Sequence, residues 1–354
     1  MERGRLIART LRDARKPSDN RIERWTRELS EIAPFLLQSG TAALGWRGLS
    51  HLDSGSSPWV HELRQAYRLQ ALEAALHERD LKQLAAFFEV SGLTPILGKG
   101  WAVARLYPEP GLRPYGDFDL YLHPRDYAEA AAAFATSSAP RCAVDLHCGA
   151  VELADRSFDE VYARSHLVRC GEIDVRVFGP EDHLRLLCLH MLHHGAWRPL
   201  WLCDVAVAME SRPEDFDWSY LLSGDERRSE GVACAIGLAH ELLGAPVKDT
   251  PLEERSKRLP RWLVTAVLKQ WGKSRLPDGM LAPMEHHLRH PRGAFDALRL
   301  RWPNPIEATV KMGGRFNEVP RLPFQIGECL RRATRFAARL PAFLCEASFD
   351  ARLP

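Results

Sequence analysis

The amino-acid sequence predicts an α+β fold in which a small mixed β-sheet is enclosed by an N-terminal and a C-terminal helical region. Three observations predict this fold. Apolar residues recur at helical spacing from about residue 20 to residue 92, the spacing shortens to that of strands between residues 93 and 180, and the helical pattern then returns. We therefore expect an N-terminal helical region (1–92), a core that carries the sheet (93–180) and a C-terminal helical region (181–354).

The N-terminal region contains one long predicted helix, Trp59–Val90. Its apolar residues lie at roughly helical spacing, with charged residues between them: Leu63, Tyr67, Leu72, Leu76, Leu84 and Phe88. The segment Asp53–Pro58, rich in Gly and Ser, separates this helix from an earlier one, and Gly92 is expected to end it. The pattern is typical of a scaffold.

The central region alternates short strands with helices. Asp117–Leu122 alternates polar and apolar residues, as a half-buried strand does. Three further segments are predicted as strands and two as helices: Thr94–Leu97, Cys142–His147 and Glu172–Phe178, then Trp101–Tyr107 and Arg125–Ala135. We expect a sheet of three or four strands with interleaved helices.

Helices return in the C-terminal region, after Gly179 and Pro180. The clearest are Glu181–His194, Leu200–Glu210 and Gly231–Leu243, with several more towards the C-terminus. Proline and glycine indicate loops around 244–251, 272–283 and 303–323.

The composition is that of an ordinary globular protein, with 45% hydrophobic and 27% charged residues and a formal net charge of +2. This balance argues against extended disorder and gives no general attraction to nucleic acid or acidic membranes, although it is compatible with a local basic patch. The eight cysteines are scattered and form no C-x-x-C pair, which favours reduced thiols. The N-terminus lacks a secretory apolar segment, and no apolar run reaches the ~18 residues that span a bilayer. We expect a cytoplasmic protein with no membrane partner.

The segment with the clearest chemical meaning is GDFDLY at residues 116–121. Side chains two residues apart on a strand point to the same face, so Asp117 and Asp119 should share one face while Phe118 and Leu120 point into the core. Two like charges side by side repel each other unless a cation offsets them. Mg²⁺ is a hard cation that prefers carboxylate oxygens, so the pair indicates a metal site. A D-x-D pair alone also occurs on solvated strand faces.

A third carboxylate and a turn provide further context. Asp145 lies in a later predicted strand, within VDLH at residues 144–147, and the turn GKG at residues 98–100 lies upstream and opens a helix. Three strand carboxylates that face a helix N-terminus can hold two metal ions and a triphosphate. One ion would orient the β- and γ-phosphates, and the other would activate an acceptor oxygen for attack on the α-phosphorus.

Several motifs together resemble the uncharacterised bacterial nucleotidyltransferase family of the polymerase-β-like superfamily. They are GKG at 98–100, LYP at 106–108, GLRP at 111–114, GDFDL at 116–120, VDLH at 144–147 and HLRLLCLHMLHHGAWRPLWLCD at 183–204. The resemblance covers roughly residues 90–220 and implies a minimal nucleotidyltransferase fold with helical additions. This sequence departs from the superfamily at the phosphate-binding turn, where Lys99-Gly100 replaces the usual Gly-Ser.

The resemblance also implies the reaction and its cofactors. A nucleoside monophosphate would pass from an NTP to an acceptor hydroxyl, with release of pyrophosphate and with Mg²⁺ or Mn²⁺ as the metal. Asp117 and Asp119 would bind both metal ions. Asp145 would complete the acceptor-side site and help to deprotonate the hydroxyl.

Five further residues are candidates for nucleotide binding: Gly98, Lys99, Gly100, Arg113 and His147. Lys99 would neutralise phosphate charge, or is a solvated lysine at a turn. Arg113 would reach a triphosphate with its two-pronged guanidinium, or braces its Pro-flanked loop. His147 would orient a metal-bound carboxylate, or closes the edge of the sheet.

The histidines of the segment 183–204 have a weaker interpretation. His190 and His194 lie one helical turn apart, but Met191 stands where the H-E-x-x-H zinc motif has glutamate. This difference favours packing over zinc binding. By resemblance, His194, Trp201 and Asp204 line the cleft from the helical side.

A basic stripe lies near the C-terminus, within Arg321–Phe343. It consists of Arg331, Arg332, Arg335 and Arg339 among apolar residues. Such a stripe is either a solvated helix face or a surface that binds RNA or an acidic partner.

The sequence does not specify the acceptor. The small net charge favours a small molecule or a peptide over nucleic acid. A tRNA- or protein-modifying nucleotidyltransferase is the alternative within this chemistry, and a non-catalytic nucleotide-binding adaptor is the alternative outside it. Three clustered acids favour an enzyme, since a decayed site has little reason to keep them.

Overall fold

The computed structural model describes residues 1–15, 22–49, 57–136, 139–273 and 301–350, with the side chains of 22–27 and 339–350 outside the description. It has the predicted α+β architecture, because a mixed five-stranded sheet packs between helices from both sides of the chain.

The described residues before the sheet form four helices: α1 (Glu2–Arg15), α2 (Ile22–Ser39), α3 (Ala42–Leu49) and α4 (Pro58–Val90). The last of these is the long helix predicted from apolar spacing. It begins at a proline, whose fixed φ suits a first helical turn. Gly92, with a φ of 68°, follows its end and lets the chain turn towards the sheet.

The sheet contains β1 (Ile96–Gly98), β2 (Phe118–Leu122), β3 (Val144–Cys148), β4 (His166–Cys170) and β5 (Ile173–Val177). Their order across the sheet is β3-β2-β1-β5-β4. The β2/β3 and β1/β5 pairs are parallel, whereas β1/β2 and β4/β5 are antiparallel. The predicted mixed sheet is therefore confirmed.

The expected number of three or four strands was too low. Strand β4 has no clean alternation of polar and apolar residues, because Leu167 and Val168 are neighbours. It lies at the edge of the sheet, where Leu167 is 56% exposed. An edge strand that buries little surface leaves only a weak periodic signal in the sequence.

Helices α5 (Lys99–Ala104), α6 (Tyr127–Phe134) and α7 (Phe158–Arg164) alternate with the strands, and a short 3₁₀ turn (Val151–Leu153) follows β3. The described helices after the sheet are α8 (Pro180–His193), α9 (Pro199–Glu210), α10 (Trp218–Leu221), α11 (Glu226–Leu243), α12 (Glu253–Ser256), α13 (Arg261–Trp271), α14 (Pro305–Lys311) and α15 (Leu322–Asp350). The last one contains the predicted basic stripe.

The two faces of the sheet pack into different hydrophobic clusters. One face packs against α4 and α6 through a cluster that includes Leu84, Phe88, Leu97, Phe118, Leu120 and Ala130. The opposite face packs against α7 and α8 through a cluster that includes Ile96, Tyr121, Val161, Phe178 and Leu186. Because side chains alternate along a strand, Asp119 lies on the same face as Tyr121.

The helices before and after the sheet share one hydrophobic core. Leu11 of α1 and Leu44 of α3 belong to the same buried cluster as Trp271 of α13. Arg12 and Arg15 add to this packing, since their side chains donate to carbonyl groups at the C-terminal end of α11. The two helical regions are therefore joined in one core, while the predicted boundaries near residues 92 and 180 stay predictions.

The described residues form neither a disulfide nor a membrane-spanning helix. Seven cysteines are free thiols, and within the described ranges no disulfide joins them. None of the described helices combines the length and the apolar character needed to cross a membrane.

Gly98, the last residue of β1, lies where no larger side chain fits. A Cβ atom there would lie 2.7 Å from Tyr121 Cε2 and 2.9 Å from Phe178 Cε2, and both rings are buried. We expect Gly98→Ala to lower the free energy of unfolding by about 1–3 kcal/mol, the usual cost of overpacking, as measured by urea denaturation. The matched control is Gly116→Ala, where a Cβ would meet nothing within 4 Å. Equal losses in the two variants would contradict this packing argument.

Candidate active site

Strands β2 and β3 run parallel in a register that pairs two of the predicted carboxylates. Asp119 lies directly opposite Asp145, and Tyr121 lies directly opposite His147. Paired residues on neighbouring strands point to the same face of the sheet, and residues two apart on one strand do so as well. The two carboxylates and the imidazole therefore meet on one face.

The side chains of this group lie close enough to share an ion. One potential ligand atom from each of Asp119, Asp145 and His147 lies within 4.8 Å of the others. His147 Nε2 lies 2.9 Å from Asp119 Oδ1 and 3.3 Å from Asp145 Oδ2. The imidazole stacks on the Tyr121 ring, with the ring centroids 4.3 Å apart and the planes inclined by 12°. The stacked tyrosine therefore holds the imidazole between the two carboxylates.

Lys99 provides a positive charge at this cluster. Its Nζ lies 2.5 Å from Asp119 Oδ1, and both side chains are buried. The Lys99 backbone has a φ of 42°, in the left-handed region that residues other than glycine rarely adopt. Such a conformation persists only where surrounding contacts hold it, and the ion pair with Asp119 is one of these contacts.

The environments of the two neighbouring aspartates shift their pKa values in opposite directions. Burial alone would raise the pKa of Asp119, but the hydrogen bond with His147 and the ion pair with Lys99 outweigh it and hold this pKa below its usual value. Partial burial and repulsion from Asp119 raise the pKa of Asp117. The negative charge is thus held more firmly at Asp119 than at Asp117.

The predicted carboxylates line one open cleft with a volume of about 330 Å³, within the usual range for small-molecule sites. The chemically important residues of its walls are Asp117, Asp119, Asp145, Lys99, Gly100, Arg113, His190, Arg198 and Trp201. Asp117 lies just before β2 and is exposed, and the Asp145 side chain is 57% exposed. Both can therefore contact a ligand in the cleft.

Two of the three residues of the turn at 98–100 line the cleft. Lys99 and Gly100 line it, whereas Gly98 packs against Tyr121. The absence of a side chain at Gly100 allows a close approach, because a Cβ there would lie 3.1 Å from the carbonyl oxygen of Asp117. The helix that begins here, α5, contains only six residues. His147 contacts Asp119 and Asp145 without being one of the residues that line the cleft.

Arg113 is held by a buried carboxylate below the cleft wall. Its Nε lies 3.2 Å from Asp204 Oδ1 and its Nη2 lies 2.9 Å from Asp204 Oδ2. The two side chains therefore form a bidentate ion pair. The Tyr107 hydroxyl donates to the same carboxylate at 2.9 Å, and Asp204 is fully buried. These contacts favour the bracing role of Arg113 over direct phosphate binding.

Arg198 is a third basic side chain of the cleft, besides Lys99 and Arg113, and is not among the residues predicted from the sequence. It lies immediately before α9, and its Nε donates to the carbonyl oxygen of Ser39 at 2.9 Å. Within the described ranges, no carboxylate forms an ion pair with Arg198. Burial and the nearby Arg113 lower the pKa of its guanidinium. Only its place within the motif at 183–204 marks it in the sequence.

The histidines of α8 pack against aromatic rings. The ring of His190 lies 4.6 Å from that of His194 and 5.2 Å from that of Trp201, measured between centroids. Burial lowers the pKa of His194 to about 4. No metal-ligand cluster that includes these two histidines occurs in the part of the chain that the structure describes. Trp201 and His190 line the cleft, whereas His194, whose ring contacts both of theirs, does not.

The comparison with protein families agrees with the motifs. The sequence matches the model of a family of uncharacterised nucleotidyltransferases in two segments, residues 27–139 and 136–244, which together cover more than half of the chain. The chain belongs to this nucleotidyltransferase family. Every residue that lines the cleft lies within the matched segments. No match was found among curated proteins or among solved structures.

Removal of one partner from the charge pair of Arg113 with Asp204 is expected to destabilise this family member strongly. Asp204→Asn should lower the free energy of unfolding by about 3–5 kcal/mol, because it leaves a buried guanidinium without a counter-charge. Tyr107→Phe removes one hydrogen bond from the same carboxylate and should cost about 1.5–3 kcal/mol. Guanidinium chloride denaturation measures both. A smaller loss for Asp204→Asn than for Tyr107→Phe would show that the charge pair is not the main contribution.

Proposed function

We propose that this protein is a metal-dependent nucleotidyltransferase that transfers a nucleoside monophosphate from an NTP to a hydroxyl group of a small molecule or peptide, with release of pyrophosphate. Membership of the nucleotidyltransferase family supports the general reaction. The metal, the NTP and the acceptor are the proposed refinements.

The pairing of Asp119 with Asp145 on adjacent strands carries the proposal. It concentrates negative charge in the same cleft that Asp117 also lines. Two carboxylates on neighbouring strands repel each other, and a protein that needs only a stable sheet gains nothing from placing them together. A function that uses both carboxylates explains this arrangement.

The residues present fit a divalent cation whose ligands are carboxylate oxygens and one imidazole nitrogen. The potential ligand atoms of Asp119, Asp145 and His147 lie within 4.8 Å of one another, close to the about 4.2 Å that separates opposite ligands of Mg²⁺. Asp117, exposed in the same cleft, is available as a further ligand. When bound, Mg²⁺ or Mn²⁺ supplies Lewis acidity towards the α-phosphoryl group and favours deprotonation of the acceptor.

The remaining residues of the cleft take three roles in this proposal. Lys99 and Arg198 provide positive charge for the triphosphate, since both line the cleft. Asp145 accepts the proton of the acceptor hydroxyl, because its carboxylate is exposed to the cleft. Arg113, bound to Asp204, positions the loop that ends at Asp117.

The proposed site uses two of the three predicted regions. The core (93–180) provides the carboxylates and Lys99, and the C-terminal region (181–354) provides Arg198 and Trp201. The N-terminal region (1–92) holds the Arg198 side chain in place, because the Ser39 carbonyl accepts a hydrogen bond from it.

The proposed metal site predicts a binding defect. We expect Asp119→Asn to weaken Mn²⁺ binding by more than about 100-fold in the presence of an ATP analogue that cannot be cleaved between the α- and β-phosphorus atoms, because a direct ligand is lost. Isothermal titration calorimetry measures the affinity. The control is Asp159→Asn, a substitution at an exposed aspartate of α7, which should bind like the wild type. Equal affinities in all three proteins would remove the metal site from the proposal.

The proposed reaction predicts the fate of two radiolabels. Incubation with a host extract and each NTP should transfer an α-phosphorus label, and not a γ-phosphorus label, to an acceptor, with release of pyrophosphate. Asp145→Asn should slow this transfer by about 10²–10⁴-fold, the usual contribution of a general base, while NTP binding changes little. Asp117→Asn should impair both transfer and NTP binding.

Three other outcomes of the labelling experiment contradict the proposal. Transfer of the γ-label would indicate a phosphotransferase. Identical pyrophosphate release by the wild type and both variants would exclude these carboxylates from catalysis. Binding of NTP without consumption in any host extract would indicate an adaptor that keeps the fold.

A further inference from the structure

A second cavity, which we term the basic pocket, lies beside the proposed active site. It is defined by five basic side chains: Arg227, Arg228, Lys311, Arg331 and Arg335. Its volume is about 700 Å³, larger than that of the cleft. Its walls come from the 3₁₀ turn after β3, from α8, from the first turn of α11, from the end of α14 and its following loop, and from α15.

Three of the five basic side chains are held in place by contacts. Arg228 Nη1 donates to the backbone carbonyl groups of Val151 and Glu152. Arg331 Nε lies 2.6 Å from Glu328 Oε2, and Lys311 pairs with Glu307 one helical turn away. These contacts hold the three side chains at the wall of the pocket, and the carboxylates of Glu307 and Glu328 are not among the residues that line it.

The other two, Arg227 and Arg335, are exposed and form no ion pair or hydrogen bond within the described ranges. The acidic residues that line the pocket have other partners. Asp225 caps α11 by accepting from the backbone N–H of Arg228, and Glu152 lies beside His190. Because Lys311 and Arg331 are paired with carboxylates, the positive charge of the pocket comes mainly from Arg227, Arg335 and Arg228, although the whole chain has a net charge of only +2.

Glu152 and His190 connect the basic pocket to the cleft. Glu152 lines the pocket, His190 lines the cleft, and Glu152 Oε1 lies 3.9 Å from His190 Nδ1. Glu152 also follows the active-site residue Asp145 by only seven positions, so the two lie at most about 25 Å apart. One extended molecule can therefore contact both the pocket and the cleft.

We infer that the basic pocket binds a phosphate group of the acceptor while the acceptor hydroxyl lies in the cleft. This inference rests on the proposed nucleotidyl transfer and specifies the acceptor as a phosphorylated molecule. Guanidinium groups match phosphate oxygens in a two-pronged geometry, and four of the five basic side chains are arginines. The triphosphate of the NTP has its own basic residues, Lys99 and Arg198, in the cleft.

Tripolyphosphate in the presence of EDTA is the probe for this pocket. Isothermal titration calorimetry should show that Arg227→Ala/Arg335→Ala weakens tripolyphosphate binding by at least about tenfold, because two charge-assisted contacts are lost. The matched control is Arg9→Ala/Arg68→Ala, which removes two exposed arginines elsewhere and should change the affinity by less than about twofold. Circular dichroism checks that each variant folds.

A second double variant separates the basic pocket from the cleft. Lys99→Met/Arg198→Met should retain tripolyphosphate binding to the pocket and lose affinity for Mn²⁺–ATP, whereas Arg227→Ala/Arg335→Ala should show the reverse. Tripolyphosphate binding that is lost only in Lys99→Met/Arg198→Met, or that is unchanged in Arg227→Ala/Arg335→Ala, would overturn the inference. Failure of the proposed function is seen separately, as Mn²⁺–ATP binding that Asp119→Asn leaves unchanged.

Two further ligands distinguish the sources of the phosphate. One is ribose 5-phosphate, and the other is a 5′-phosphorylated tetraribonucleotide. Loss of ribose 5-phosphate binding in Arg227→Ala/Arg335→Ala, with no tighter binding of the oligonucleotide to the wild type, would support a small phosphorylated acceptor. Tighter oligonucleotide binding that the same variant abolishes would support a phosphate at the end of a nucleic acid. Binding of both ligands unaffected by the variant would contradict the inference.

Discussion

The parallel pairing of β2 with β3 is the constraint on which the rest of the proposed site depends. Its register places Asp119 beside Asp145 and Tyr121 beside His147. Two adjacent carboxylates would destabilise this pairing unless nearby groups offset their charge. Lys99 provides a full positive charge from the neighbouring strand end, and the imidazole of His147 contacts both acids while its ring rests on Tyr121. The sheet therefore accommodates the adjacent carboxylates of Asp119 and Asp145, which remain accessible to a ligand in the cleft.

The helical regions complete the site through contacts between residues that are far apart in the sequence. The Arg113–Asp204 pair joins the loop before β2 to α9, and Tyr107 donates to the same buried carboxylate. The same helix begins next to Arg198, whose side chain is held by the carbonyl oxygen of Ser39. Because a buried charge is costly without its partner, the loop and the helix are constrained to move together.

Negative and positive side chains are concentrated in different regions of the molecule, and the net charge does not show this separation. The cleft concentrates carboxylates, and the adjacent basic pocket concentrates arginines. A net charge of +2 is the sum of such regions and carries no information about their separation. Electrostatic attraction acts over about 8–10 Å at physiological salt, so a ligand responds to the local arrangement and not to the total. The near-neutral composition, which favours a small molecule or a peptide over nucleic acid as the acceptor, therefore does not describe the charge at either site.

The sequence by itself determined the fold class, the family and the face of β2, because these depend on local periodicity and on motifs a few residues long. Asp117 and Asp119 were recognisable from their spacing of two, and Asp145 from a similar strand later in the chain. Only the tertiary structure decided that β4 joins the sheet, that Arg113 is bound by Asp204, and that Arg198 reaches the cleft. It also brought Arg227 and Arg335, far apart in the chain, to one pocket. These features arise from packing between distant segments, and such packing leaves no periodic pattern in the residues it joins.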